Sequence, residues 1–227
     1  MKILALDTAL SGCSVAILQD GRALAHRQRT MARGQAEALL PMVEAAMAEA
    51  GMAYAALDRL AVTVGPGSFT GLRIGLATAR ALALAAGKPL VGVTTLEAIA
   101  EGALAGHPTG KPVLVALDSR RGDLFVQLFD AGSRPLCPPQ AVAPADLAAL
   151  VRTGPLLLAG DAAETARDSL RAAGLAVEIA DAPAQPDARL VAALGATRAL
   201  PDGPVGPLYL RAPDVTLPKA AVLRVAP

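Results

Sequence analysis

Val113-Leu114-Val115-Ala116-Leu117-Asp118-Ser119-Arg120-Arg121-Gly122-Asp123-Leu124-Phe125-Val126-Gln127-Leu128-Phe129-Asp130-Ala131-Gly132 restates, with one residue fewer between its first Asp and the Gly that follows, the opening Ile3-Leu4-Ala5-Leu6-Asp7-Thr8-Ala9-Leu10-Ser11-Gly12-Cys13-Ser14-Val15-Ala16-Ile17-Leu18-Gln19-Asp20-Gly21. Asp118 stands 111 positions after Asp7, while Gly122 and Asp130 stand 110 after Gly12 and Asp20. Each copy reads as a buried strand ending in Asp, a hydroxylated residue, a glycine-bearing turn, a second strand and an Asp-led turn. Working outward from the first copy, Asp20-Gly21 predicts a tight hairpin into a third strand over 23–27. A helix is expected over 35–50, with Leu39, Leu40, Val43, Ala46, Met47 and Ala50 apolar, bent by Pro41 and stopped by Gly51. Strand 60–64, helix 70–86 and strand 90–93 follow. Beyond the second copy come a helical stretch over 146–152, a strand over 156–159, a helix over 162–173 and a long helix over 187–200.

Two βββαβα halves are the plan of the actin, Hsp70 and sugar-kinase superfold. The expected class is therefore α/β, a duplicated actin-like (ASKHA, Hsp70-type ATPase) fold. Residues 1–107 would form one domain and 108–200 a smaller second one, leaving a Pro/Gly-rich tail over 201–227 that carries Tyr209, Arg211, Lys219 and Arg224. In that plan Asp7 and Asp118 end the first strand of each half and face a nucleotide cleft. Asp7, Thr8, Asp118 and Gly160 are the cleft candidates. Such carboxylates either hold a hydrated Mg²⁺ with ATP or ADP, or cap the turns that follow them.

The run Gly65-Pro66-Gly67-Ser68-Phe69-Thr70-Gly71-Leu72-Arg73-Ile74-Gly75 joins a strand to a helix through a glycine-proline turn. Ser68 or Thr70 is placed to cap that helix. The spacing matches neither GxxxxGK[ST] nor GxGxxG, and no lysine follows, so phosphate-loop chemistry does not apply. Gly71, Gly75, Ala79 and Ala83 recur every fourth residue along one ridge. That ridge admits close helix approach, either inside its own domain or at a subunit interface that Arg73 and Arg80 would flank.

Composition narrows the function. A formal charge of +1 creates no field for nucleic acid, and an aromatic share of 2% leaves few stacking platforms for single strands. Two cysteines, Cys13 and Cys137, make no disulfide framework, and two histidines, His26 and His107, make no paired-imidazole metal site. Buried structural Cys and exposed loop His are the expected roles. Met1–Cys13 superficially imitates a lipoprotein signal, but Asp7 interrupts its apolar core. A cytoplasmic protein without a membrane span is expected.

Ile3-Leu-Ala-Leu-Asp-Thr-Ala9 with Cys13-Ser-Val-Ala16, Leu40-Pro-Met-Val43, the Gly65–Gly75 run, Gly92-Val-Thr-Thr-Leu96 and Pro207-Leu-Tyr-Leu-Arg211 together resemble the TsaB (YeaZ) family. The resemblance spans nearly the whole chain. Its paralogue TsaD carries a His-x-x-x-His pair that ligates a catalytic metal; here Met31-Ala-Arg-Gly-Gln35-Ala-Glu37 holds no histidine. The resemblance therefore implies a non-catalytic subunit with no catalytic residue, no bound metal and no required cofactor. Its partner would be a TsaD-like subunit that transfers threonylcarbamoyl to adenosine 37 of ANN-decoding tRNAs. A TsaE-like ATPase would belong to the same complex, tRNA would be met only through it, and a homodimer would form when the chain is alone. The implied four-helix interface takes Glu37, Leu39, Leu40, Val43 and Met47 from one helix and Gly71, Leu72, Arg73, Gly75, Leu76 and Ala79 from the other, with Glu37 or Glu44 meeting Arg73. An actin-fold ATPase or phosphotransferase using Asp7 and Asp118, or a nucleotide-responsive regulator, is the rival. No Ser or Cys stands beside a base, so peptidase chemistry lacks its residues.

Overall fold

A computed structural model describes residues 1–107, 110–151 and 155–211; Arg152, Lys219 and Arg224 lie outside the described residues. In the first half β1 (Lys2–Asp7), β2 (Gly12–Gln19) and β3 (Arg22–Thr30) precede α1 (Gln35–Glu49), β4 (Arg59–Thr63), α2 (Phe69–Ala86), β5 (Leu90–Val93) and α3 (Thr95–Gly106). The second half runs β6 (Val113–Asp118), β7 (Leu124–Phe129), β8 (Gln140–Val142), α4 (Leu147–Leu150), β9 (Leu156–Ala159), α5 (Ala163–Ala172) and β10 (Val177–Ile179), before α6 (Ala188–Thr197). The sheets are ordered β3-β2-β1-β4-β5 and β8-β7-β6-β9-β10, the same arrangement twice. In both, the first two strand pairings are antiparallel and the last two parallel. This is the duplicated actin-like fold.

Local chemistry sets the element ends. Asp20 and Gly21 both take positive φ, the conformation a two-residue hairpin needs to match the strand twist. α2 stops at Gly87 in the left-handed region. α1 runs through Pro41, whose ring lies on the exposed side. α3, β8 and β10 have no counterpart in the expectations drawn from sequence. For α3 the signal was present: Thr94 accepts from the Glu97 backbone at 3.1 Å while the Glu97 carboxylate accepts from Thr94 N–H at 2.8 Å, a capping box.

Packing crosses the expected domain boundary at α3 and α6. Alternate residues of β1 face opposite layers: Leu4 and Leu6 join the core under α1 and α2, while Ile3 and Ala5 join Ala188, Val191 and Ala192 of α6. Thus α6, expected in the second domain, covers the first sheet. Conversely Leu96, Ile99, Ala100 and Ala103 of α3 pack with Val113, Val115 and Leu117 of β6, covering the second sheet. Each sheet is apolar on both faces and each half supplies helices for one face only, so the halves exchange their last helices. The described tail, 201–211, crosses the first half: Arg80 donates to the Val205 carbonyl at 3.0 Å and Leu208 N–H to Val64 at 2.7 Å. Arg211 then pairs with Asp123 of the second half.

Candidate functional site

The glycine-proline turn holds the ends of β1 and α2 together. Ser68 N–H donates to the Ala9 carbonyl at 2.7 Å, and the Thr8 hydroxyl donates to the Gly71 carbonyl at 2.7 Å. Ser68 caps α2 by accepting from Gly71 N–H at 3.2 Å. A methyl on Gly67 or Gly71 would overlap the carbonyl oxygens of Ala9 or Thr8, and one on Gly75 would lie 2.5 Å from the Thr8 hydroxyl. Of the two uses open to the small-residue ridge, internal packing is the one observed. The glycines clasp their own β1–β2 turn.

This sorts the interface candidates. Leu39, Val43, Met47, Leu72, Leu76 and Ala79 are buried in the chain's own core, as are Gly71 and Gly75. Only Glu37, Leu40 and Arg73 face outward. Arg73 lays its guanidinium over the Phe69 ring at 3.6 Å, and Phe69 stacks on Tyr209 with centroids 5.6 Å apart. Periodicity did not single out Leu84, which is 85% exposed. α2 is 18 residues long with a mean hydropathy of 1.2, yet only 33% of it is buried. It is long and apolar enough to cross a membrane, but here it is the crossover between parallel strands β4 and β5.

The cleft candidates are engaged locally. Asp7 is 2% exposed; its Oδ1 accepts from the Thr63 hydroxyl at 2.6 Å and from Ala9 N–H at 3.0 Å. Burial pushes its carboxyl up to about 6, against those two hydrogen bonds. Asp118 accepts from Arg120 N–H at 2.7 Å, the same two-residue turn cap, and Arg120 reaches it again at 3.4 Å. Asp161 accepts from Asp118 N–H at 2.9 Å, and burial raises its pKa. Gly160, with φ of 100°, packs against the Ala116 carbonyl. Thr8 spends its hydroxyl on Gly71. The geometry given to both aspartates is that of turn caps.

The family described as TsaD, tRNA N6-adenosine threonylcarbamoyltransferase, matches residues 28–182. The tRNA threonylcarbamoyladenosine biosynthesis protein TsaB of Escherichia coli is 42% identical over 125 residues, 55% of this chain and 53% of that protein. The chain thus matches about half the length of that relative. An uncharacterized protein of Mycobacterium tuberculosis is 38% identical over 214 residues, 93% of this chain and 92% of its own. A Pseudomonas aeruginosa structure described as similar to peptidase YeaZ superposes with a TM-score of 0.81 at 29% identity, covering 92% of this chain and 99% of that one.

The chain belongs to the TsaB (YeaZ) family.

Two constellations bear on what this TsaB-family chain can do. At the place of the TsaD histidine pair, Gln35 spends its amide on the Met31 carbonyl at 3.1 Å and Gly34 caps α1 with φ of 90°. Neither offers an imidazole, so the paralogue's metal does not fit these residues. Among the described residues no group of three His, Cys, Asp or Glu could hold a metal. The second is Ser14, His26 and Asp187. Ser14 lies 3.5 Å and Asp187 3.2 Å from the ring, but both meet the same nitrogen, Nε2. A relay needs the two groups on opposite nitrogens, so this cluster does not activate the serine. Its role is structural: Ser14 accepts from Ala188 N–H at 3.0 Å, tying α6 to β2. His26 is half-buried on β3 rather than an exposed loop residue, and burial lowers its pKa against the pull of Asp187. Burial pushes Asp187 up, yet its Arg189 hydrogen bonds hold it below the ordinary carboxylate range.

Proposed function

We propose that this chain is the non-catalytic scaffold subunit of an assembly that forms threonylcarbamoyladenosine in tRNA. It would pair with a TsaD-like catalytic subunit through the outward face of α1 and α2. The observation that carries the reading is the combination of large apolar side chains left exposed on both helices of that pair, Leu84 on α2 and Leu40 on α1, and the absence of imidazoles at the paralogue's metal place. Burying such a face needs a partner of matching shape, and a subunit built on the same duplicated fold supplies one. The same face would close a homodimer when the partner is missing. A TsaE-like ATPase would join the assembled pair, and tRNA would be met through the complex.

The residues that would carry affinity are Leu84 and Leu40, with Glu37 and Glu44 setting register; the glycine ridge acts only by holding α2 on its sheet. Leu84→Asp places a charge where the partner must desolvate it, so affinity for the TsaD-like protein falls about 30-fold or more. The melting temperature of the free chain stays unchanged because Leu84 makes little contact within it. Co-purification measures the first and thermal denaturation the second. Threonylcarbamoyladenosine, assayed by mass spectrometry in cells carrying only this variant, falls in step. Undiminished complex removes the interface, and normal modification in cells depleted of the protein removes the pathway.

A further inference from the structure

We infer that the edge strand β3 and the loop after it form a phosphate-contacting strip for a folded RNA, a surface apart from Leu84 and Leu40. β3 is an outer strand of the first sheet and is exposed along most of its length. Residues 22–33 hold Arg22, Arg27, Arg29 and Arg33 and no acidic residue, in a chain whose formal charge is +1. Charge that gives no field when summed over the chain is thus gathered at one sheet edge. Strand register puts it on one side. Arg27 and Arg29 stand opposite Val15 and Cys13, which belong to the core under α1, and Arg22 stands opposite Gln19, two residues beyond Ile17 of that core. Arg33 follows, exposed, in the loop that enters α1.

Most of these guanidiniums are unengaged. Arg27 pairs with Glu49 at 2.5 Å, whereas among the described residues Arg22, Arg29 and Arg33 pair with no carboxylate. Arginine on an edge strand also discourages pairing with other strands, but that role asks nothing of Arg33, which lies beyond β3. Side chains two residues apart on one strand face lie about 7 Å apart, and each guanidinium offers a fork of donors to a phosphate. The stretch 27–30 is wholly polar and exposed, so it has nothing to sink into a bilayer and no anchor for a protein interface. A phosphate backbone needs neither. The inference rests on the reading that places this chain in a tRNA-modifying assembly, and adds a direct contact to it: the complex holds the tRNA, and the strip takes some of its phosphates.

Fluorescence anisotropy of a labelled tRNA transcript, titrated with the full chain at about 50 mM salt, tests it. Binding is expected with a Kd of roughly 10–100 µM and a log–log salt slope of about −2 to −3, the value for three phosphate contacts. Arg29→Gln combined with Arg33→Gln weakens binding about tenfold and brings the slope to about −1. Arg134→Gln combined with Arg171→Gln, the same loss of charge in the second half, leaves both nearly unchanged. Leu84→Asp also leaves them nearly unchanged, so the strip and the scaffold reading fail in different variants. Thermal denaturation verifies that each variant is folded. No saturable, salt-dependent binding up to about 500 µM, or equal weakening by the two arginine pairs, overturns the proposal. Poly-glutamate competing as well as tRNA at equal charge overturns it too, in favour of an acidic protein partner.

Discussion

Gly71→Ala lowers the melting temperature of the isolated chain by roughly 4–8 °C, which corresponds to about 2 kcal/mol for a protein of this size. On a solvent-facing ridge the same change would stabilise the helix by up to about 1 kcal/mol, so the sign of the shift decides between the two places the ridge was free to occupy. Here the added methyl meets the Thr8 carbonyl oxygen, a backbone atom that cannot rotate aside. Nor can α2 withdraw freely, because Thr8 donates to Gly71 at 2.7 Å and Ser68 N–H donates to Ala9 at 2.7 Å. Overpacking of this kind costs about 1–3 kcal/mol, which outweighs the gain in helix propensity. Differential scanning calorimetry reads the outcome. An unchanged or raised melting temperature would mean that Gly71 does not rest on β1, and would return the ridge to the subunit surface.

The duplication was legible because it is carried by features that survive without side-chain detail: two runs of buried strand, each closed by Asp and a glycine turn at nearly constant separation. The exchange of α3 and α6 was not. Ile3, Leu4, Ala5 and Leu6 are all buried, so the strand shows no alternation to say which helix lies over which face. β8 and β10 are three residues each, too short for a period to declare itself. Most of the interface candidates proved to be buried within the chain for a related reason. An apolar stripe at helical spacing marks the face a helix gives to its own core, and Leu39, Val43, Met47, Leu72 and Leu76 are that face. A docking residue is the apolar one left over on the other side, and Leu84 stands out only after the core face is known.

Asp7→Asn removes a pH-dependent cost from the folded state. The Asp7 carboxyl has a folded value of about 6, mainly because burial penalises its charge, while the unfolded chain returns it to about 3.9. Between those values the native state binds the extra proton. Stability from this group is therefore greatest below about pH 4, declines as pH rises to about 6, and is flat above. A separation of about two pKa units corresponds to about 3 kcal/mol. Asparagine keeps the Oδ1 acceptor for both Thr63 and Ala9, but carries no charge to desolvate. Any cost of its new amide donor is the same at every pH. The variant-minus-wild-type stability, from urea titrations at matched m values, should thus climb by about 3 kcal/mol from about pH 4 to pH 7. Taking the difference cancels groups that do not interact with Asp7, such as Glu178, whose depressed pKa makes wild-type stability fall as pH falls. A level difference curve would mean a carboxylate already ionised and watered, as a cleft residue that holds Mg-ATP must be. The climb would mark an aspartate whose charge the fold suppresses, at work on its own turn.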